Sequence, residues 1–467
     1  MTSKQKVFAE LSNLPIIDIH THIDTAHLSA RGLHDILLYH MVISDLYHAG
    51  CPSGARLTEE PSEDEIEDRI EEALPYLPYI RNTSSFWGVC LILKSLYGWV
   101  RPITTDNWRD LHGLIQKKSA DPSWPRLIMQ RAAIAKACTE LWRGRNGVAD
   151  DIFQFSLEWA FFTRSQWGQY DTALLELENV WNQDEPGAPL PVTVDIASLN
   201  LKKRIKTLHD VKEAMKHYCK KIPYNRIISV ASHLSTDITY GTVSDAEMAN
   251  ALANRQQAGE KERDVYSNYL FELFLTEFEK MKSPIVLQFS IGAEPLPYET
   301  GSKLKADTVS QLAMILHRHP EVEFQIYLAS EHQNQALCTL TREFPNLSLA
   351  GYWWHNFFPS IIRKVIGERL DMVAANKQIG FFSDAYCMDW SYAKAIIVRK
   401  QLAEVLAGKI EQEQYTMEQA LTIARQILYE TPKNLLRINP GETINNNPLK
   451  SFQYTSQPSD GKLTHHV

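Results

Sequence analysis

The sequence predicts an α/β protein, a distorted (β/α)8 TIM barrel that carries a large helical insertion. Short runs rich in β-branched and aromatic residues alternate with longer amphipathic segments through the second half of the chain. The runs begin about 25 to 60 residues apart, which leaves room for a strand, a helix and two loops in each repeat. The chain has 467 residues. A barrel needs only about 250, so an insertion is expected.

Seven runs predict strands, and Pro, Gly, Ser or Asn residues bound most of them. They cover residues 16–20, 192–198, 227–233, 285–291, 323–329, 347–353 and 379–384. Their near-continuous apolar character is typical of parallel strands that helices cover on both faces. Amphipathic stretches at residues 307–319, 393–406 and 417–429 predict helices that pack on this sheet. One further strand would complete a barrel of eight, which we favour over an open sheet.

Shifts in composition divide the chain into three parts. We predict that residues 1–54 and 191–439 form the barrel. Residues 55–190 are rich in Trp and in helix-forming residues, and they predict a helical insertion subdomain that also contains early barrel elements. Residues 440–467 are rich in Asn, Ser, Pro and Gln and show no periodicity, which is typical of a C-terminal arm or tail.

Charge and cysteine usage exclude several classes of protein. The 48 Lys and Arg residues against 56 Asp and Glu residues give a net charge of −8, whereas nucleic-acid binding normally needs a basic face. The six cysteines form no CxxC pair and are typical of reduced thiols. The sequence shows neither a signal peptide nor an apolar stretch of membrane-spanning length. We therefore expect a cytoplasmic enzyme with a small-molecule substrate, without nucleic-acid or membrane partners, and we leave a homo-oligomer open.

The sharpest local motif is Asp18-Ile19-His20-Thr21-His22, at the end of the first apolar run. Residues two apart in a strand face the same side, so His20 and His22 point together toward the active-site face of a barrel. Asp384 ends the last run, and zinc accepts two imidazoles and a carboxylate together. We predict one divalent metal, first of all zinc, on His20, His22 and Asp384. The alternatives are a structural histidine pair and a helix-capping role for Asp384.

Other polar and aromatic residues also follow predicted strands. His233 ends the run 227–233 and is a candidate third metal ligand or substrate contact, with a loop or helix-start role as the alternative. His355 lies just past the run 347–353 and is a candidate substrate contact. Trp353 and Trp354 are candidate apolar walls of the substrate pocket, and a role in the core is equally compatible with the sequence.

Four segments, in the same order, resemble motifs of a known family. Residues 18–22 (DIHTH) match D-x-H-x-H, and residues 288–293 (QFSIGA) are similar to QFHIGA. Residues 351–354 (GYWW) resemble G-x-W-W, and residues 383–386 (SDAY) lie where that family has TDSR. The family is that of the uronate isomerases, a branch of the amidohydrolase superfamily. The resemblance implies a distorted (β/α)8 barrel, a helical insertion and a single divalent metal, usually zinc, on His20, His22 and Asp384.

The chain also departs from these motifs. Ser290 replaces the histidine of QFHIGA, and Tyr386 replaces the arginine of TDSR. Residues 195–197 (DIA) stand where the family has Arg-Pro-Asp, and Tyr39-His40 only loosely resembles its Asp-His-Tyr. Arginine pairs bidentately with carboxylates, so the loss of two arginines is expected to weaken recognition of a uronate carboxylate.

The resemblance predicts metal-dependent aldose–ketose isomerisation of a uronate-like sugar acid, in which a proton moves between C2 and C1 through an enediol. Asp384 or its metal-bound water is the first candidate for the base. Tyr39, His40 and Tyr386 are secondary candidates for proton transfer or hydroxyl contact, and simple wall residues are the alternative. Ser290 joins the candidate substrate contacts. The rival prediction is metal-dependent hydrolysis of a lactone, amide or ester with Asp384 as general base, and a third is a non-catalytic relative.

Overall fold

The structure, a computed structural model, describes residues 2–51, 62–144, 151–158, 172–182, 202–234, 239–255, 259–294, 303–304 and 308–438. Within them, eight parallel strands form one sheet whose order follows the chain. The strands are β1 (Ile16–Asp18), β2 (Ile134–Glu140), β3 (Phe153–Glu158), β4 (Ser229–His233), β5 (Val286–Ile291), β8 (Phe324–Leu328), β9 (Leu347–Ala350) and β10 (Gln378–Ile379). A separate antiparallel pair comprises β6 (Ala293–Glu294) and β7 (Lys303–Leu304). The predicted distorted (β/α)8 barrel is confirmed.

Hydrogen bonds just beyond the ends of β1 and β10 join the first strand of the barrel to the last. The backbone N–H of Asp384 donates to the carbonyl of His20 at 3.0 Å, and that of His22 donates to Ala385 at 2.8 Å. Asp18 adds a third link, because its Oδ1 accepts a bond from the backbone N–H of Ser383 at 2.8 Å. The barrel therefore closes through the residues that carry the predicted metal ligands.

Helices cover the outside of the sheet, as crossover connections between parallel strands require. They are α1 (Ser3–Asn13), α2 (Leu33–Leu37), α3 (His40–His48), α4 (Ile66–Ala73), α5 (Ser84–Tyr97), α6 (Trp108–Ser119), α7 (Trp124–Ala132), α8 (Thr172–Trp181), α9 (Leu208–Lys221), α10 (Asp245–Ala253), α11 (Glu260–Lys280), α12 (Thr308–Arg318), α13 (Asn334–Glu343), α14 (Pro359–Met372), α15 (Met388–Glu411), α16 (Met417–Arg425) and α17 (Thr431–Leu435). A π-helix, Gln426–Glu430, separates α16 from α17. Within the described ranges, none of the helices has the length and apolar character that crossing a bilayer would take.

The strands bury different residues on their two faces. In β5, Leu287 and Phe289 belong to the large apolar cluster between the sheet and its helices. Val286 instead belongs to a small inner cluster together with Tyr327 of β8 and Phe382. Alternation along β5 puts Ser290 on the same inner face as Val286, at the carboxyl end of the strand. The inner face therefore changes from apolar to polar toward the mouth of the barrel.

Gly351 follows β9 at a position that no other residue fits well. Its φ of 46° lies in the left-handed region, which L-residues with a side chain seldom adopt. A Cβ atom at this position would also overlap the ring of Phe382. Gly351 thus lets the chain turn above β9 while Phe382 fills the inner face below the mouth.

Most of the predicted elements are confirmed within the described residues. The runs at 16–20, 227–233, 285–291, 323–329 and 347–353 contain β1, β4, β5, β8 and β9, and the run at 379–384 overlaps β10. The helices predicted at 307–319, 393–406 and 417–429 correspond to α12, α15 and α16. Residues 192–198 and 440–467 lie outside the described residues. Two barrel strands, β2 and β3, lie in the segment 55–190 together with α4 to α8.

Candidate active site

His20, His22 and Asp384 meet at the carboxyl end of the sheet, where β1 and β10 continue side by side. Oδ1 of Asp384 lies 3.2 Å from Nε2 of His22 and 3.6 Å from Nε2 of His20. One possible ligand atom from each residue lies within 4.8 Å of the other two, and the described part of the chain contains no other such group. The three side chains are partly buried, with exposed fractions of 15%, 21% and 14% respectively. Two imidazole nitrogens and a carboxylate oxygen at this spacing can bind one cation.

Two residues behind His22 were not predicted from the sequence. Glu140, the last residue of β2, is 1% exposed and forms a hydrogen bond with Nδ1 of His22. Its Oε2 atom pairs with Nε of Arg143 at 2.7 Å. A carboxylate that accepts the Nδ1 proton leaves Nε2 of His22 to face Asp384, which is the usual arrangement around a metal-binding histidine.

Burial and nearby charges set the protonation of the three candidate ligands. Burial, reinforced by His22, lowers the pKa of His20 to about 4, so this imidazole is neutral at pH 7. Burial alone would raise the pKa of Asp384, but the hydrogen bond and charge of His22 outweigh it and hold the pKa below its usual range. Burial also opposes the charged form of His22, but Glu140 outweighs it and raises the pKa well above its usual value. His20 and Asp384 are thus in ligand form, and His22 must release its Nε2 proton to join them.

A buried lysine and a buried tyrosine contact the backbone around Asp384. Asp384 has a φ of 54°, in the left-handed region. The hydroxyl of Tyr39 donates to the carbonyl of Asp384 at 2.8 Å. Nζ of Lys394, on α15, donates to the Tyr39 hydroxyl at 2.8 Å and to the carbonyl of Ser383 at 2.6 Å. The structure therefore places Tyr39 beside the candidate metal ligand, and Lys394 is a neighbour that the sequence analysis did not single out.

His40 and Tyr386 lie at the same end of the barrel. The ring of Tyr386 stacks on His22 with centroids 5.2 Å apart, and half of the residue is exposed. The ring of His40 lies 4.1 Å from that of Tyr39 and 5.7 Å from that of Tyr386. Burial, reinforced by the charge of Lys394, lowers the pKa of His40 to about 3, which leaves a neutral imidazole. Its buried Nδ1 has no hydrogen-bond partner among the described residues.

A second group forms where β4, β5 and β9 end. The register of β4 and β5 places His233 opposite Ser290, and Nδ1 of His233 lies 2.8 Å from Oγ of Ser290. The ring of Trp353 is 5.8 Å from that of His233. The motif QFHIGA would place an imidazole at residue 290 itself. In this chain an imidazole occupies the adjacent position on β4 and hydrogen-bonds the serine that replaces it.

The two remaining candidates lie in a short 3-10 turn, Trp354–Asn356, that follows Trp353. Trp354 is partly buried, and its ring lies 5.4 Å from that of Trp353. The backbone of His355 belongs to this turn, while its side chain lies outside what the structure describes. Substrate contact by these two residues stays a prediction.

Tyr327 of β8 lies between the two groups. Its ring is 5.4 Å from that of His20 and 4.7 Å from that of Phe382. On the other side, Tyr327 is the register partner of Ser290. Its buried hydroxyl has no hydrogen-bond partner among the described residues. The group around His20 and the group around His233 therefore line one mouth of the barrel.

Glu140, Arg143 and Lys394 differ in how far the sequence could have predicted them as site residues. Glu140 is the last residue of a buried strand, as His233 is, so recognition of β2 as a strand would have made Glu140 a candidate. Arg143 follows three residues later, in the 3-10 turn Leu141–Arg143. Lys394 offered no signal, because a lysine within a helix is usually a solvated surface residue.

The protein is a (β/α)8 barrel with a polar site at the carboxyl ends of its strands. Barrel enzymes have their active sites at that end. No protein-family model matches the sequence, and no curated protein matches it. Among solved structures, the chain is similar to a uronate isomerase from Thermotoga maritima, with a TM-score of 0.71, 13% identity and coverage of 93% of this chain and 97% of that chain.

Two further structures give the same result. A glucuronate isomerase from Caulobacter crescentus has a TM-score of 0.70 and 15% identity, and the match covers 93% of this chain and 94% of that chain. A uronate isomerase from Bacillus halodurans has a TM-score of 0.65 and 16% identity, with coverage of 93% and 96%. The resemblance that the motifs predict is confirmed at the level of the fold, over nearly the whole chain.

Proposed function

We propose that this protein is a metal-dependent aldose–ketose isomerase that acts on a uronate-like sugar acid. The observation that supports the proposal most strongly is the meeting of His20, His22 and Asp384 at the mouth of a barrel with the fold of uronate isomerases. All three residues lie at the closing seam of the barrel, because backbone hydrogen bonds join the segments that follow the first and last strands. Sugar-acid isomerisation is the activity named for the similar structures, and we extend it to this chain as a hypothesis.

The donor set suits a borderline divalent cation, and we propose zinc. Zinc binds neutral imidazole nitrogens and carboxylate oxygens in sites of three protein ligands with an open position. The low pKa values of His20 and Asp384 provide two of these donors in the correct form, and the bond from His22 to Glu140 directs its other nitrogen toward them. An ion bound there would act as a Lewis acid that polarises the substrate carbonyl.

The reaction moves a proton from C2 to C1 of the sugar and a second proton from the C2 hydroxyl to the C1 oxygen. Asp384 is ionised and is our candidate for the base that takes the C2 proton and returns it to C1. His40 is neutral and has an unpartnered, buried Nδ1, so it is our candidate for the transfer between the two oxygens. Tyr386 is half exposed and is our candidate for a hydroxyl contact at the rim.

A sugar acid also needs a partner for its carboxylate, and Arg143 is our candidate. Its side chain is 20% exposed, and among the described residues Glu140 is its one ion-pair partner, through Nε. The remaining N–H groups of a guanidinium so held can bind a carboxylate. Arg143 would then take over the role that the resemblance assigns to arginines absent from residues 195–197 and 386.

The direct test is turnover of uronates. Purified, zinc-loaded protein is incubated with glucuronate or galacturonate in D2O, and the ketose is followed by NMR. We expect ketose formation, with deuterium at C1 in the fraction of turnovers in which the proton on the base exchanges with solvent, and no product from His20→Ala/His22→Ala. No turnover of either uronate, together with metal-dependent cleavage of a lactone, amide or ester, would contradict the isomerase proposal and support the hydrolase alternative.

The proposed carboxylate partner has its own test. Arg143→Gln should raise KM for the uronate about tenfold or more and leave KM for the matching neutral aldose unchanged, because only the uronate carries the carboxylate. Arg126→Gln is the matched control, since Arg126 is exposed and pairs with Asp151 away from the site. Equal effects of Arg143→Gln on the acid and on the neutral sugar would contradict this role.

The small-molecule substrate, the cytoplasmic location and self-association stay predictions.

A further inference from the structure

We infer that Lys394, acting through Tyr39, is a positioning residue that holds Asp384 in its left-handed conformation and so aims its carboxylate at His20 and His22. Nothing in the motifs of residues 383–386 points to this lysine. The inference rests on the proposed function in one respect, because it takes Asp384 to be a metal ligand. It assigns to Lys394 and Tyr39 the placement of that ligand and no contact with the substrate.

Lys394 is buried, and no carboxylate among the described residues forms an ion pair with it. Only 2% of the residue is exposed. Its Nζ instead donates to two oxygens, the hydroxyl of Tyr39 and the carbonyl of Ser383. The rings of Tyr39 and Phe357 lie 5.0 and 4.7 Å from Nζ. A buried cation is costly unless its donors are satisfied, so the two oxygen acceptors explain how this lysine is tolerated here.

The contacts of this lysine fix the peptide groups on both sides of Asp384. Lys394 binds the carbonyl of Ser383, which precedes Asp384, and Tyr39 binds the carbonyl of Asp384 itself. The N–H of Asp384 is held by His20 O. With both neighbouring peptide groups tied to other elements, the φ of 54° at Asp384 is determined by the surrounding structure. The carboxylate direction then follows from the backbone.

Another lysine of the same helix shows what an ordinary buried cation looks like in this protein. Lys409 of α15 is 7% exposed, and it pairs with the carboxylate of Asp371 and with the side chain of Gln414 at 3.0 Å. It contacts none of the candidate site residues. Lys394 and Lys409 thus share residue type, helix and burial, and they differ in whether the acceptors belong to the site.

The experiment compares Lys394→Met with Lys409→Met. Each full-length protein is prepared metal-free, and its Kd for zinc and for cobalt is measured by competition with a chelator. We expect Lys394→Met to bind about 10- to 100-fold more weakly, in the range seen when outer-shell partners of metal ligands are removed, and its Co²⁺ absorption spectrum to change. Lys409→Met should lose stability and keep the wild-type Kd and spectrum.

A second variant and a structural measurement test the same contact independently of Lys394→Met. Tyr39→Phe removes only the hydroxyl that joins Lys394 to Asp384, and it should also weaken metal binding if Lys394→Met does not fold. Crystal structures of the metal-free variants should show Asp384 leaving the left-handed region. Wild-type affinity and an unmoved Asp384 in both variants would overturn the inference. Wild-type protein that binds no metal would contradict the proposed function, and the metal-free structures alone would then decide about Lys394.

Discussion

Nε2 of His22 lies 3.2 Å from Oδ1 of Asp384, although 362 positions separate the two residues in the sequence. The contact exists because the chain beyond β1 hydrogen-bonds to the chain beyond β10 at the closing seam of the barrel. The hydrogen bonds that close the barrel therefore also bring the candidate metal ligands together.

Glu140→Gln should weaken zinc binding about 10- to 100-fold while the fold is retained, because the change removes the charge that fixes Nδ1 of His22. The Kd for zinc, measured on metal-free protein, checks this. Glu331→Gln is the matched control, since Glu331 follows β8 at the same end of the barrel but pairs with Lys364. An unchanged Kd in Glu140→Gln would mean that Glu140 does not support His22.

His233→Ala should raise KM for the uronate and leave the zinc content unchanged, because His233 hydrogen-bonds Ser290 and lies apart from the three candidate ligands. The exchange variant His233→Ser/Ser290→His moves the imidazole one strand over, to the position that the resembling motif gives it. We expect the exchange variant to recover part of the lost kcat/KM. An exchange variant no better than His233→Ala would show that the position on β4 is required.

Three residues of the candidate site could be predicted from the sequence, because each lies at the end of an apolar run that predicts a strand. His20 and His22 are two apart at the end of an apolar run, and Asp384 ends another such run. Parallel strands in a barrel place their carboxyl ends on one face, so the three were expected together. This prediction requires only the positions of the strand ends, which apolar runs and turn residues indicate.

The rest of the site depends on contacts that no local pattern records. β2 reads Ile-Ala-Lys-Ala-Cys-Thr-Glu, a sequence in which Lys136 interrupts the apolar residues. Lys136 is nevertheless buried, and its Nζ donates to the carbonyl of Asp151. The sequence therefore did not predict β2, and Glu140 was not a candidate site residue. The bond between His233 and Ser290 follows from the register of β4 and β5, which is set by the whole sheet. Lys394 is buried by tertiary packing alone.

Gly351→Ala should destabilise the protein by about 2 kcal/mol or more, because it adds both left-handed strain and overlap with the Phe382 ring. Gly367→Ala is the control, since Gly367 lies within α14 with open space where its Cβ would be. Alanine there should be neutral or stabilising by up to about 1 kcal/mol. Urea unfolding measures both, and equal effects would contradict the argument for Gly351.

Acid stability should depend on Glu272 of α11. Its carboxylate pairs with Arg318 at 2.8 Å and with His319 at 3.0 Å. Burial opposes ionisation, but these two partners outweigh it and lower the pKa of Glu272 to about 2. The unfolded chain, with a normal pKa near 4.5, then binds more protons between these values, so the stabilisation is complete above pH 4.5 and shrinks as the pH falls toward 2.

The corresponding measurement is urea unfolding of the wild type and Glu272→Gln from pH 7 to pH 3. The variant should be less stable at pH 7, by on the order of 1 kcal/mol because the pair is partly solvated. The difference should narrow below pH 4.5. A difference that stays constant down to pH 3 would rule out this ion pair as its source.

The amount of metal bound to the purified protein decides whether His20, His22 and Asp384 form a metal site. The purified protein is reconstituted with zinc, freed of excess ion and assayed for bound metal, alongside His20→Ala/His22→Ala and Asp384→Asn, with circular dichroism to verify that each variant is folded. We expect one equivalent of zinc in the wild type, none in the double variant and a marked loss in Asp384→Asn. A wild type that retains no metal, or folded variants that retain it fully, would contradict a metal site on His20, His22 and Asp384.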